Sequence, residues 1–177
     1  MEDKMWRGGG KLLPYKGRMP TVGREVFLAD GVLLIGDTVL EDQVSVLFGT
    51  VMRGDVDSIR IGARTNIQDL SMCHVTAGSF PLKVGSDTTV GHNSILHGCT
   101  IGDRVLIGMG STLLDGAVIE DDVLLGAGSL VPPGARIPSG FLALGRPARV
   151  RRELTAADRA EIMGSAAHYM QVAKNYP

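Results

Sequence analysis

Residues 101–118 read IGDRVLIGMGSTLLDGAV, and residues 119–136 read IEDDVLLGAGSLVPPGAR. Laid one over the other, the two stretches share Ile, Asp, Val, Leu, Gly, Gly, Ser, Gly and Ala in the same places. Inside each stretch there is a shorter step. Ile101, Ile107, Leu113, Ile119, Leu125, Val131 and Ile137 recur every six residues, and all are aliphatic. Four residues after the first six of them stand Val105, Ser111, Ala117, Val123, Ser129 and Ala135, all small or Val. A helical face repeats near 3.6 residues and a simple strand at two, so a six-residue step is neither. It describes a prism with three flat faces and three hexads per coil. One aliphatic side chain per hexad points inward, and a small one fits the corner. Each coil pairs with the next at about 4.8 Å, the spacing of neighbouring strands. A sandwich of short strands has no reason to hold such a register over seven steps.

The register extends backward. Val84, Val90 and Leu96 fit one coil, and Ile61, Ile67 and Cys73 fit the coil before it. Ile35, Glu41 and Leu47 start an earlier coil, with Val39, Ser45 and Val51 at the corner offset. Between about 48 and 60 no register follows. Two steps depart from eighteen. Ile61 to Val84 is 23 residues, with a surplus loop around Ala77-Gly78-Ser79-Phe80-Pro81. Val84 to Ile101 is 17, which tightens a corner near His97-Gly98. Both lie beside histidines, where breaks in local rules tend to mark function. After Arg149–Glu153, Thr155-Ala-Ala-Asp158 reads as a helix cap with an acid three residues on. Ile162, Ala166, Tyr169, Met170 and Ala173 then recur at helical spacing, which predicts one helix over 155–175 packed along the prism.

Composition fits this frame. The chain has 177 residues, 44% of them apolar and only 5% aromatic, so its core is aliphatic. With a net charge of −1, nothing in the composition argues for nucleic acid or an anionic membrane, and neither is expected as a partner. No apolar run reaches the length of a membrane span, and Met1-Glu2-Asp3-Lys4 does not open a signal peptide. The expected location is the cytoplasm, with Cys73 and Cys99 reduced.

Three of the four histidines fall within 24 residues: His74, His92 and His97. His74 follows inward Cys73 and His97 follows inward Leu96, and these two inward residues are equivalent in successive coils. The two imidazoles therefore stack on one face, point outward, and can converge on one zinc at about 2.0–2.1 Å each. His92 lies two residues after inward Val90, on another face. It can join such a metal only from a neighbouring molecule, as a cyclic trimer would arrange. Three imidazoles with an open position suit a hydrolytic or hydrating zinc, and they also suit iron or cobalt. Any one of the histidines, taken alone, reads as an ordinary surface residue; the stacking makes the difference. His168 takes no role.

These residues resemble the gamma-class carbonic anhydrases of the hexapeptide-repeat superfamily. The likeness rests on RGDVDSIRIGARTNIQD (53–69), CHV (73–75) and VGHNSILHGCTIG (90–102) and spans about 14 to 177. It implies a mainly β fold, a left-handed parallel β-helix with a C-terminal α-helix. The expected division is a lead-in with a first strand at 1–30, the β-helix and metal site at 31–148, and the terminal helix at 149–177. It implies a homotrimer that hydrates CO2 to bicarbonate with Zn2+, or with Fe2+ or Co2+, at the subunit interfaces. His74 and His97 look like one subunit's ligands and His92 like its neighbour's. Gln68 looks like the residue that hydrogen-bonds the metal-bound hydroxide. Arg53, Asp55 and Asp69 look like the family's charged interface group, and Tyr169 like a helix tyrosine that approaches the metal. There are departures. Val56 stands where the archetypal member has Glu after RGD. The nine residues between His74 and Val84 contain no acid, so the family's shuttle glutamate is missing and slower hydration is expected. Two other functions fit the repeat: an acyltransferase with a histidine base and an acyl-CoA thioester, and a non-enzymatic trimer fastened by metal.

Overall fold

The computed structural model describes residues 6–176; residues 1–5, with the opening Met1-Glu2-Asp3-Lys4, and Pro177 lie outside the described residues. The chain winds as a mainly parallel β-helix closed by one C-terminal helix. One wall is a sheet of nine strands, from Trp6–Arg7 to Ala148–Glu153, parallel until its last, antiparallel pair. The other two walls form a single sheet, because the long strands Leu33–Leu40 and Val51–Ile61 bend from one wall into the next. Strands already form at Trp6–Arg7, Lys11–Leu13 and Thr21–Val22, and each pairs with the following coil.

The inward residues stack in columns. Ile61, Val84, Ile101, Ile119 and Ile137 pair in series up one wall. Ile67, Val90, Ile107 and Leu125 do so on the next, and Cys73, Leu96, Leu113 and Val131 on the third. All of these are buried. Val105, Ser111, Ala117, Val123 and Ser129 are buried at the corners, where a larger side chain has no room. Burial also fixes the cysteines' chemistry: desolvation pushes the Cys73 thiol up to about 12 and the Cys99 thiol higher still. Both are inert core thiols.

One coil departs from the six-residue count. Leu34, Leu40 and Val46 are its inward residues, not Ile35, Glu41 and Leu47. Glu41 is exposed, and Thr38, Val44 and Thr50 fill the corner positions given to Val39, Ser45 and Val51. The cause lies in the stretch where no register could be read. Gly36 pairs with Gly54, but Thr38 pairs with Ile59, so residues 55–58 bulge out opposite Asp37. The pairing distance rises from 18 residues at Leu34–Met52 to 21 at Leu40–Ile61. No count in sixes crosses such a bulge, and a one-residue error in phase exchanges the inner and outer faces.

The C-terminal helix runs from Ala156 to Asn175. Thr155 caps it: its hydroxyl accepts from the Asp158 N–H, and the Asp158 carboxylate accepts from the Thr155 N–H. Ile162, Ala166 and Ala173 are buried against the nine-stranded wall. At the far end Arg7 donates to the carbonyls of Ala173 and Tyr176, and Tyr176 stacks on Phe27. The first strand therefore clamps the helix terminus. Among the described residues, no helix is long and apolar enough to cross a membrane.

Hydrogen bonds from Arg152 and Thr155 hold the Asp158 carboxyl far below the usual carboxylate range. A value depressed by folding contributes stability that is complete above the unfolded-state value of about 3.9 and is lost as pH falls toward the folded value. The helix should therefore loosen as the pH drops from about 4 toward 2. Far-ultraviolet circular dichroism on acid titration will show this, and Asp158→Asn should weaken the helix at neutral pH and flatten that part of the titration.

Candidate metal centre

His97 pairs directly with His74, as Leu96 does with Cys73, on the strands Ile95–His97 and Met72–His74. The cores of these strands are buried by Leu96 and Cys73, so the following residues are forced outward at the edge of the wall. Nδ1 of His74 lies 3.1 Å from Nε2 of His97, with ring centroids 5.1 Å apart and planes inclined at 62°. Arg53 belongs to the same edge one coil below, following Met52, which pairs with Cys73. The bulge at 55–58 turns the chain here and brings the Asp55 carboxylate 3.1 Å from Nε2 of His74. Arg53 pairs with the other oxygen of that carboxylate. On the opposite side, Oδ1 of Asp115 lies 2.6 Å from Nδ1 of His97, and Oδ2 of Asp115 accepts from the Thr76 hydroxyl at 2.8 Å. Partial burial pushes both carboxyls up. Hydrogen bonds from Arg53 and His74 outweigh this at Asp55, and those from His97 and Thr76 do so at Asp115, so both remain below the usual range.

His92 stands elsewhere. It lies just past the strand Thr89–Val90, at the corner before the strand that carries His97. Nδ1 of His92 lies 2.7 Å from Oδ2 of Asp69, and its backbone N–H donates to Oε1 of Gln68 at 3.2 Å. Gln68 is 4% exposed, held under the helix side of the wall. Gln68, His92 and Tyr169 line one groove of about 330 Å3, with Thr89, Glu161 and Ser165. The Tyr169 phenol is pushed up by burial and by the nearby Asp69 charge. The candidate residues thus divide into two groups. Arg53, Asp55, His74 and His97 gather at one edge; Gln68, Asp69, His92 and Tyr169 gather at another.

Comparison with known proteins places this arrangement. The repeat families described as bacterial transferase hexapeptide (six repeats) and hexapeptide repeat of succinyl-transferase match residues 81–115 and 116–137. Protein YrdA of Escherichia coli is 50% identical over 171 residues, 93% of each chain. A carbonic anhydrase of Geobacillus kaustophilus is 46% identical over 165 residues, covering 93% of this chain and 90% of that one. Gamma carbonic anhydrase 1, mitochondrial, of Arabidopsis thaliana is 42% identical over 162 residues, 89% of this chain and 59% of its own. The chain belongs to the gamma carbonic anhydrase family of hexapeptide-repeat proteins.

Within that family frame, the donor set can be tested against a metal. Among the described residues, no group of three His, Cys, Asp or Glu side chains of one chain converges as a metal site. Two imidazole nitrogens do converge, 3.1 Å apart. Two ligands at about 2.0–2.1 Å from one tetrahedral zinc lie about 3.3 Å from each other. The His74–His97 pair therefore fits two of the positions on a zinc and leaves the rest to be filled from outside the chain. Each of the three histidines also has a carboxylate on one ring nitrogen, and metal-ligating imidazoles almost always donate that N–H to a carboxylate, a backbone carbonyl or a water.

Asp115 and Thr76 were not visible as site residues in the sequence. A signal was present for Asp115: it lies 18 residues after His97, one coil on. Thr76 belongs to the surplus loop, which folds back through paired backbone groups of Thr76 and Phe80. Gly98 occupies the shortened corner with φ 54°, and a Cβ there would lie 2.4 Å from Oδ1 of Asp115 and 2.7 Å from Cβ of Phe80. Alanine at 98 combines a left-handed backbone with two clashes. Gly98→Ala should destabilise the protein by more than about 1 kcal/mol, read as a lowered urea midpoint.

Proposed function

We propose that this chain is a metal-dependent carbonic anhydrase of the gamma class that works as a homotrimer, with His74 and His97 of one protomer and His92 of its neighbour holding Zn2+. The observation that carries this reading is the division of the histidines: two nitrogens 3.1 Å apart on one edge, close to the spacing of two ligands on one zinc, and a third imidazole committed to Asp69 at another. One chain supplies an incomplete site, and a second copy supplies the remainder. The surface supports a second copy there. Leu70, Met72, Ile95 and Met109 are exposed apolar residues, with Leu70 at 68% and Met109 at 58%. Met72 and Ile95 pair on the two strands that end in His74 and His97. Leu70 and Met109 lie at the corner beside His92, whose carbonyl accepts from Gly110. The left hand of the coil belongs to the same reading.

Zinc held there supplies Lewis acidity that makes water a nucleophile near neutral pH, shifting its pKa from 15.7 to about 7. The chain's residues do the rest. Asp55 keeps the His74 imidazole oriented, and Asp69 does so for His92. The Gln68 carbonyl is taken by the His92 N–H, so its amide NH2 is the end left to orient the attacking oxygen toward CO2. Arg53 carries a positive charge on the Asp55 side, and Asp69 carries a negative one beside His92. The trimer brings the two together. Tyr169 lines the groove beside His92 and Gln68.

Metal analysis with a CO2 hydration assay tests this. Wild type should carry about one zinc per protomer and hydrate CO2, and His97→Ala should lose both. His92→Ala should lose metal and also shift the trimer toward monomer on size exclusion. A monomeric variant that retains full zinc would refute the shared site. Metal-free protein that acetylates an amine from acetyl-CoA would instead favour the transferase chemistry for which its repeats are described. Zinc-loaded, inert protein would favour a structural metal.

A further inference from the structure

The chain carries two irregularities that the three proposed ligands do not explain. The loop at 76–81 adds five residues, and the corner at His97-Gly98 omits one. Both converge on Asp115. The loop delivers the Thr76 hydroxyl to Oδ2 of Asp115 at 2.8 Å, and the short corner brings Nδ1 of His97 to within 2.6 Å of Oδ1. Gly98, with no Cβ, is what lets Asp115 and Phe80 approach this closely. Phe80 covers the corner from outside, its ring 3.0 Å from where a Cβ on Gly116 would stand.

We propose that Asp115, steadied by Thr76, is a positioning residue of the metal centre, holding His97 in the one tautomer and orientation that presents Nε2 toward His74. A carboxylate only accepts hydrogen bonds, so the His97 nitrogen facing it must be Nδ1–H. Nε2 then keeps its lone pair and faces the gap to His74. The Thr76 hydroxyl donates to the second carboxylate oxygen, so Asp115 cannot swing away without losing a bond on each side. Asp55 does the corresponding work for His74 with Arg53 as its anchor. At His97 the anchor is an uncharged loop residue, so the insertion acts as a brace for the ligand. This inference rests on the proposed metal reading but can fail separately from it.

The test uses the full chain with Zn2+ as probe. Zinc affinity is measured by competition with a chromophoric chelator for wild type, Asp115→Asn and Thr76→Val. The His97 ring nitrogens are followed by 15N chemical shift in the metal-free protein. Losing such an outer partner weakens metal binding by about 10–100-fold, and this is the result expected for Asp115→Asn, together with a mixed His97 tautomer. Thr76→Val, which changes no charge, should weaken zinc by up to about tenfold and shift the His97 signals in the same direction. Should Asp115→Asn not fold, as read by circular dichroism, Thr76→Val alone decides. Wild-type affinity and wild-type His97 shifts in the variants that fold would overturn the proposal. A wild-type protein that takes up no zinc would overturn the metal reading instead, while a His97 tautomer that still responds to Asp115→Asn would leave the positioning role standing.

Discussion

Parallel stacking of one coil on the next constrains everything else in this molecule. Every inward side chain must sit over its counterpart, and every strand must find its backbone partner about 4.8 Å away. A residue added or removed cannot be absorbed along a wall, because the whole column would change face. It can only be expelled at a corner or in a bulge. Around the two stacked histidines the chain does this three times: the bulge at 55–58, the loop at 76–81 and the short corner at 97–98. All three reach the same edge, the one that ends in His74 and His97. The regular walls therefore serve as a fixed base, and the exceptions to their regularity place the polar side chains.

That division explains what could be read from the sequence. Where the wall is regular, counting in sixes from Ile101 identified each inward residue, and it paired Cys73 with Leu96 and so His74 with His97. The terminal helix was legible from Thr155 and Asp158, because a capping box is a local pattern. The count failed at Leu34, Leu40 and Val46, beyond a bulge whose extra residues carry no periodic mark. It also missed Asp115 and Thr76. Their bonds depend on how far a loop folds back and how tightly a corner closes, and neither is encoded by hydrophobic period. Gly98 could have hinted at close approach, but a glycine does not say which atoms approach it.

The electrostatics of the site follow one pattern at each histidine. Asp55, Asp115 and Asp69 each face one imidazole nitrogen. For Asp55 and Asp115, burial alone would favour the neutral acid, but the hydrogen bonds they accept outweigh it and keep them as carboxylates. A carboxylate in this position does two things. It fixes which ring nitrogen bears the proton, and it raises the basicity of the other nitrogen. The pattern has no evident use in a wall whose stability comes from aliphatic columns, since partly exposed pairs of this kind contribute little. Its repetition at three histidines on two separate edges is better accounted for by a shared demand on the imidazoles.

The rigidity of the walls also bears on the proposed split of the site. A single prism offers side chains along an edge from successive coils, so it can stack two imidazoles readily. It cannot bring in a third from the other end of the wall, because the strand between them is straight and its backbone is fully engaged. A convergent set of three therefore needs either a long loop that folds back or a second surface. The loop at 76–81 is too short to carry a ligand across, and among its residues only Thr76 has a side-chain bond to the site. The second surface remains, and the exposed Met72 and Ile95 lie between the two edges where it would have to dock. In the proposed trimer, assembly would complete the coordination set, and the rigidity that makes the prism stable would also make the site dependent on a neighbour.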